Sequence, residues 1–205
     1  MIVEMRTDNV LSGRIAALEA RVAEALPARA ALSPLAGYWR TETGTLDQVI
    51  QIWPYTDLEQ RARVLSEARR LPAWPPETGY VGEQLSEIYL PAPFSPDLKP
   101  HEFGGIYEIR TYTLMPRFLP SLIERWGNYI ANRVAVSPLV FAGDCEFGGV
   151  NRWRHIWAYT DLAERAAIRG EVRRKGIWPP PGGDPVRFLK QETIIVRPAS
   201  FSPLR

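Results

Sequence analysis

The sequence predicts an α+β protein in which two similar halves pair into one barrel. Residues 2–76 align without a gap with residues 106–180, and 27 of the 75 aligned positions are identical. Unrelated chains of ordinary composition would match at roughly 6% of positions. Each half also carries the same order of predicted strands and helices. A repeat of this length is a domain with its own core rather than one unit of a solenoid.

The order of elements is clearest in the second half. Residues 106–113 alternate between two faces and are rich in β-branched and aromatic side chains, which is typical of a half-buried strand. Apolar residues then recur at helical spacing over residues 119–130, as they do over residues 15–26 in the first half. Pro34 and Pro138 end these helices, and an extended segment, a glycine turn and a further strand follow. This pattern predicts a strand, a helix and a hairpin.

A second helix and a last strand complete each half. Asp57 and Asp161 supply N-cap side chains for the helix, and a Trp-Pro-Pro string ends it. The last strands are predicted at residues 84–90 and 192–197. The resulting order, β-α-β-β-α-β, is that of the ferredoxin-like unit. The expected domain organisation is a first repeat at residues 1–96, a linker at residues 97–104 and a second repeat at residues 105–205.

The sheet of each repeat is expected to have one uncovered face. A four-stranded antiparallel sheet with both helices on one side leaves its other side bare, and a bare face rich in aromatic residues must be covered. The other repeat is the obvious cover. We therefore expect the two sheets to face each other as an α+β barrel within one chain, with the functional cleft where the repeats meet.

The composition argues against several classes of partner. The net charge is +2 and the charged residues are dispersed, so we expect no nucleic-acid partner and no membrane partner. No apolar run is long enough to span a membrane, and the chain does not begin with a signal-peptide pattern. The one cysteine, Cys145, agrees with a reducing compartment. These features predict a cytoplasmic protein.

Several strings of residues resemble those of the NIPSNAP family. They are residues 107–114 (YEIRTYTL), residues 37–44 (GYWRTETG), and residues 150–159 (VNRWRHIWAY) with residues 161–165 (DLAER). The resemblance implies a ferredoxin-like domain that pairs into a dimeric α+β barrel, normally between two chains. It implies no particular reaction, because the biochemical activity of the family is poorly defined.

The two halves retain different parts of these strings. The second half has Ala142-Gly143-Asp144 in place of Tyr38-Trp39-Arg40, whereas Tyr112 and His155 are replaced by Asp8 and Gln51 in the first half. One cleft made asymmetric after duplication would produce this complementary retention, and so would random drift. We hypothesise a single site that uses both halves. Its candidate catalytic residues are His155, Glu108 and Tyr112, and its candidate substrate-binding residues are Arg40, Glu42, Arg110, Trp157 and Tyr159.

The chemistry of these residue types suggests a role for each. His155, with an unperturbed pKa of about 6.5, would exchange a proton near neutral pH, together with Glu108 or Tyr112. The planar fork of Arg110 would hold an anionic or carbonyl oxygen, and Trp157 would stack on a ring.

A purely structural interpretation of the same residues is also open. The Glu-x-Arg motifs at residues 4–6 and 108–110 would then form ion pairs that fasten the two halves together, and the tryptophans would be core. In either case we expect Trp74 and Trp178 to cap the barrel ends without contacting a ligand.

The expected function is binding of a small molecule in the cleft between the repeats. The alternative is a cofactor-free enzyme of the monooxygenase or cyclase type that acts on a small aromatic or polyketide-like substrate. His155 in a strand and His101 in the linker lack the spacing of a metal site, so no metal and no cofactor is expected. A haem held by His155 stays open as a third alternative, as does a homo-oligomer formed through the outer surfaces.

Overall fold

A computed structural model of the chain describes residues 1–76, 79–182 and 187–205. Within these residues, each repeat has the order β-α-β-β-α-β. The first repeat contains β1 (Ile2–Val10), α1 (Ile15–Ala30), β2 (Gly37–Thr43), β3 (Gln48–Tyr55), α2 (Leu58–Ala68) and β4 (Val81–Pro91). The second repeat contains β5 (Ile106–Leu114), α3 (Leu119–Val134), β6 (Leu139–Phe147), β7 (Arg152–Tyr159), α4 (Leu162–Arg174) and β8 (Phe188–Pro198).

The eight strands form one closed antiparallel barrel in the order β1-β3-β2-β8-β5-β7-β6-β4. Each repeat contributes four neighbouring strands in the ferredoxin-like order. The repeats join at two seams, where β2 pairs with β8 and β4 pairs with β6. Closure removes the free strand edges that an open sheet would expose. The predicted barrel of two ferredoxin-like repeats is therefore confirmed.

The barrel interior is an apolar core shared by both repeats. Trp39 of β2 stacks on Tyr107 of β5, with 4.5 Å between ring centroids. Met5 and Ile109 lie at matched positions of β1 and β5 in the same buried cluster. Because side chains alternate along a strand, the residues between these positions point outward, towards the helices.

The outward faces of the two sheets are covered by the helices. Helices α1 and α2 pack on the sheet of the first repeat through residues such as Leu18 and Val64. In the second repeat, Trp126 and Ile130 of α3 pack against Trp153 of β7. Each helix layer therefore forms a separate core on the outside of the barrel.

The segments that follow β4 and β8 each hydrogen-bond to a strand of the other repeat, at opposite seams of the barrel. Ser202 accepts a hydrogen bond from the backbone N–H of Tyr38 at 3.0 Å, and Ser95 accepts one from Ala142 at 3.1 Å. After Ser202, the carbonyl of Leu204 accepts from the indole N–H of Trp39 at 2.9 Å. These contacts connect the end of each repeat to the second strand of the other.

The elements agree with the predicted order and differ in length and in the face that is covered. Helix α1 continues to Ala30 with Pro27 inside it, and the last strand of each repeat is longer than predicted. The expectation that the face of β5 carrying Glu108 and Arg110 meets the other repeat is wrong. Helices α3 and α4 cover this face, and the barrel interior receives the face that carries Tyr107.

Candidate functional site

The second repeat holds a cavity of about 190 Å³ between its sheet and its helices. The strands contribute Arg110, Tyr112, His155, Trp157 and Gln191; helix α3 contributes Arg133; helix α4 contributes Arg169, Val172 and Arg173; and the segment after α4 contributes Trp178 and Pro179. The cavity thus brings together four of the eight predicted site residues. It also adds three arginines from the helices, which were not among the predicted site residues.

His155 is the only buried histidine in the described part of the chain, and it is held in one tautomer. The indole Nε1–H of Trp157 donates to His155 Nδ1 at 2.7 Å. An indole N–H can only donate, so Nδ1 must accept, and the neutral imidazole carries its proton on Nε2. Nε2 is buried and has no protein partner within the described residues. His155 lines the cavity, and its remaining ring nitrogen is an N–H donor and not a free lone pair.

The charge state of His155 also differs from expectation. Burial, reinforced by the positive charges of Arg110, Arg133 and Arg169, holds its pKa well below the usual value of 6.5. The predicted exchange of a proton near neutral pH is thus wrong, because the imidazole stays neutral there. The same tautomer does not suit haem ligation, since axial coordination needs the Nε2 lone pair.

Glu108 lies beneath the cavity and is saturated by protein partners. Its fully buried carboxylate accepts from Arg165 at 2.6 Å, from Arg169 at 3.2 Å and from the Tyr159 hydroxyl at 3.4 Å. The oxygens of this carboxylate are therefore occupied by protein donors, and Glu108 does not line the cavity. These ion pairs join strand β5 to helix α4 inside one repeat. The structural interpretation, in which they would fasten the two repeats together, is therefore wrong about what they connect.

Trp157 has one ring face covered by protein. The guanidinium carbon of Arg133 lies 4.1 Å from its ring centroid, and Arg133 also donates to the Tyr159 hydroxyl at 3.0 Å and to Ser137 at 2.9 Å. The first repeat has the same arrangement, with Arg29 lying 4.0 Å from the Trp53 ring. Both Trp157 and Tyr159 are thus parts of a duplicated structural network, although Trp157 also lines the cavity.

Tyr112 and Arg110 form one wall of the cavity. The Tyr112 ring meets the edge of His155 with 4.9 Å between centroids, and Arg110 lies 5.2 Å from the Tyr112 centroid. Burial raises the pKa of the Tyr112 hydroxyl, so it stays protonated at neutral pH. Arg110 Nε is buried without a hydrogen-bond partner, and Arg110 forms no ion pair within residues 1–76, 79–182 and 187–205.

Arg40 and Glu42 do not join the other predicted site residues. Arg40 pairs with Glu19 of helix α1 at 3.1 Å, on the outer surface of the first repeat. Glu42 is exposed and pairs with Arg197 of β8 at 2.9 Å. Both side chains therefore have surface partners, and neither lines the cavity of the second repeat.

The place where the repeats meet has a cavity of its own, of about 240 Å³. It is lined by Glu87 of β4 and by Arg152 and Arg154 of β7. Glu87 is buried and forms ion pairs with both arginines, including one of 2.8 Å to Arg154. Arg152 and Arg154 were not among the predicted site residues, because those were chosen on the opposite face of β7. The signal that could have identified these arginines was a pair of charged residues at alternate positions of β7, on the face that points into the barrel.

Trp74 and Trp178 pack against the sheets and do not cap the barrel ends. Trp74 is buried against Trp53, with 6.1 Å between ring centroids. Trp178 packs on Trp126 at 4.6 Å and is only half-buried, because it lines the cavity. The expectation that Trp178 stays away from any ligand site is therefore not supported by its position.

The described residues contain no group of three or more His, Cys, Asp or Glu side chains arranged to hold a metal ion. Cys145 is buried, its thiol donates to the Phe147 carbonyl at 3.1 Å, and burial raises its pKa. A thiol in this state is a weak nucleophile. No helix in the described ranges combines the length and apolar character needed to cross a membrane.

These features define an α+β barrel of two fused ferredoxin-like repeats with a basic cavity in the second. The chain belongs to the NIPSNAP family, whose model matches residues 3–96 and again residues 107–203. Human NipSnap homolog 3A is 28% identical over 190 residues, which cover 86% of this chain and 75% of the relative. Human NipSnap homolog 3B is 26% identical and covers 98% of this chain and 85% of its own length.

The fold extends beyond the family. A crystal structure from Fusobacterium nucleatum subsp. nucleatum, provisionally named a monooxygenase, superposes with a TM-score of 0.71 over 96% of this chain and 91% of that chain. Its sequence is only 10% identical. The similarity therefore shows a shared fold and nothing about the reaction.

Proposed function

We propose that this protein binds a small organic molecule in the cavity between the sheet and the helices of its second repeat. The observation that carries this proposal is the buried Nε2–H of His155, a residue that lines the cavity, for which the described residues supply no hydrogen-bond acceptor. An unsatisfied buried donor costs about 1–3 kcal/mol. A ligand acceptor would remove that cost.

The cavity suits a small ligand with one polar end. Its volume equals that of roughly six water molecules at about 30 Å³ each, which is below the range of drug-sized sites. Trp178, Pro179 and Val172 provide an apolar wall, whereas the arginines and His155 provide donors. Binding is better supported than cofactor-free catalysis, because His155 Nδ1 already accepts from Trp157 and the Glu108 carboxylate is occupied by protein donors.

The test is a thermal-shift screen of small organic acids, alcohols and amides on the full chain, followed by Trp178→Ala and Trp74→Ala. Both substitutions empty a large aromatic site and should destabilise the protein by about 3 kcal/mol. Compounds that bind the cavity should raise the melting temperature of the Trp74→Ala protein and not that of the Trp178→Ala protein. Compounds that shift both variants equally would contradict the proposed site.

A further inference from the structure

The first repeat has a corresponding cavity of about 280 Å³, lined by Arg6 and Gln84, and the donors beside it are occupied by the buried carboxylate of Asp8. Asp8 is fully buried and accepts hydrogen bonds from Gln51 at 2.6 Å and from Gln84 at 2.9 Å. Arg6 adds an ion pair of 3.7 Å. These three side chains thus form a built anion site whose occupant is part of the chain.

The second repeat keeps the same kinds of donor and lacks the carboxylate. By the repeat alignment, Arg110 corresponds to Arg6 and His155 to Gln51. Gln191 pairs with position 112 across β5 and β8 as Gln84 pairs with Asp8 across β1 and β4. All three counterparts line the one cavity, and Tyr112 stands at the position of Asp8.

The exchange of glutamine for histidine preserves the direction of every hydrogen bond. In the first repeat, Trp53 Nε1–H donates to Gln51 Oε1 at 3.1 Å, and Gln51 Nε2–H donates to Asp8. In the second repeat, Trp157 Nε1–H donates to His155 Nδ1 at 2.7 Å, which leaves Nε2–H as the next donor. The chain of donors therefore ends on a carboxylate in the first repeat and has no protein acceptor in the described part of the second.

The surrounding charge changes in the sense that an external anion would need. Around Glu108 and the cavity, the second repeat has five guanidinium groups and one carboxylate. Around Glu4 and the corresponding cavity, the first repeat has four guanidinium groups and two carboxylates. The groups of the second repeat are Arg110, Arg133, Arg165, Arg169, Arg173 and Glu108. The groups of the first repeat are Arg6, Arg29, Arg61, Arg69, Glu4 and Asp8. The excess of positive groups is thus four in the second repeat and two in the first.

We infer that the cavity of the second repeat binds the carboxylate of a small organic acid, at the position that corresponds to the Asp8 carboxylate of the first repeat. This inference rests on the proposed function and names its ligand class. The carboxylate accepts from His155 Nε2–H and pairs with Arg110, and the exposed Gln191 closes the set of donors. The organic body of the acid lies against Trp178 and Pro179.

The test is calorimetric titration of the full chain with benzoate and with benzamide at constant ionic strength. The two probes share shape and differ in charge. Benzoate should bind saturably, and benzamide should bind at least about tenfold more weakly, the factor expected for loss of one charge-assisted interaction. Equal affinity for both probes, or tighter binding of inorganic phosphate than of benzoate, would overturn the inference.

Matched variants assign the carboxylate position. Arg110→Gln should weaken benzoate binding by about tenfold or more, whereas Arg6→Gln, its counterpart in the first repeat, should leave it unchanged. His155→Gln should retain binding because glutamine supplies the same acceptor and donor, and His155→Leu should lose it. Equal effects of Arg110→Gln and Arg6→Gln, or equal effects of His155→Gln and His155→Leu, would contradict the position.

A further variant supplies the carboxylate from the chain itself. Tyr112→Asp copies the first repeat and should abolish benzoate binding while circular dichroism shows an unchanged fold. Unchanged benzoate affinity in this variant would overturn the inference. A neutral compound whose binding depends on Trp178, in a protein that does not bind benzoate, would overturn the ligand class alone and leave the proposed function standing.

Discussion

At the scale of single residues, His155 owes its properties to its neighbours. The hydrogen bond from Trp157 fixes its tautomer, and burial among three arginines keeps it neutral. A histidine in solution would titrate near neutral pH and would be read as an acid–base catalyst. In this site the same side chain is a permanent N–H donor, which is what glutamine provides at position 51.

The neutral state of His155 predicts a pH dependence of stability. In the unfolded chain its pKa returns to about 6.5, whereas the folded pKa lies well below this value. Below about pH 6.5 the unfolded state therefore binds a proton that the native state does not, and stability falls as pH falls. Relative to His155→Gln, the wild-type protein should lose up to about 2 kcal/mol between about pH 6.5 and 5.

Urea unfolding of both proteins across this pH range measures the difference directly. The two proteins differ only at position 155, so every other group contributes equally to both curves. Parallel stability curves for the two proteins would show that His155 is not buried in its neutral form.

The sequence identified part of this site. The substitutions of Tyr112 for Asp8 and His155 for Gln51 are visible in the repeat alignment, and they mark the residues that line the cavity. The state of His155 was not predictable from the sequence, because it depends on burial and on the hydrogen bond from Trp157. The part played by Arg169 depends on how helix α4 packs over the sheet, which residue spacing along β5 and β7 does not reveal.

At the scale of elements, one arginine fastens each long helix to the sheet. Arg133 of α3 is buried, lies over Trp157 of β7 and donates to Tyr159 and Ser137. Arg29 of α1 makes the corresponding contacts with Trp53 and Tyr55. A buried charge needs such partners because an unpaired one is costly. The network therefore sets how each helix lies on its sheet.

Replacing this arginine by methionine keeps most of its length and removes its charge. Arg133→Met should lower the free energy of unfolding by about 3 kcal/mol, because the hydrogen bonds to Tyr159 and Ser137 and the contact with Trp157 are lost. Arg29→Met should have a similar effect, since Arg29 contacts Trp53, the Tyr55 hydroxyl and the Ser33 carbonyl in the same way. Denaturant unfolding provides the measurement, and a loss in only one of the two variants would contradict a duplicated anchor.

The order of the elements was predictable, whereas the face of each strand was not. Periodicity placed the strands and helices near their observed positions, and Asp57 and Asp161 do accept the N-cap hydrogen bonds from Gln60 and Glu164. Both faces of β5 carry large buried side chains, however, such as Tyr107 on one and Tyr112 on the other. An alternation of two buried faces does not tell which one meets the helices.

At the scale of the whole molecule, the two repeats share one barrel. The interior core includes residues of both repeats, and β2–β8 and β4–β6 close the sheet across the seams. The duplication in the sequence predicted this arrangement, because each repeat has a sheet face that it cannot bury alone. The buried Glu87, from the first repeat, adds ion pairs with Arg152 and Arg154 of the second. Each repeat therefore depends on the other for a folded interior.

This dependence predicts that the chain unfolds as one cooperative unit. Calorimetry should show a single transition for the wild-type protein, because neither repeat keeps its half of the core once the seams open.

Glu87→Ala should lower the free energy of unfolding by about 3 kcal/mol, since it leaves Arg152 and Arg154 without their buried partner. Glu192→Ala removes an exposed carboxylate at the cavity where the two repeats meet. It should change the free energy of unfolding by less than about 0.5 kcal/mol. The Glu87→Ala protein should still unfold in a single transition at a lower temperature. Two resolved transitions in either protein would mean that the repeats are independent domains and that the barrel is not their common core.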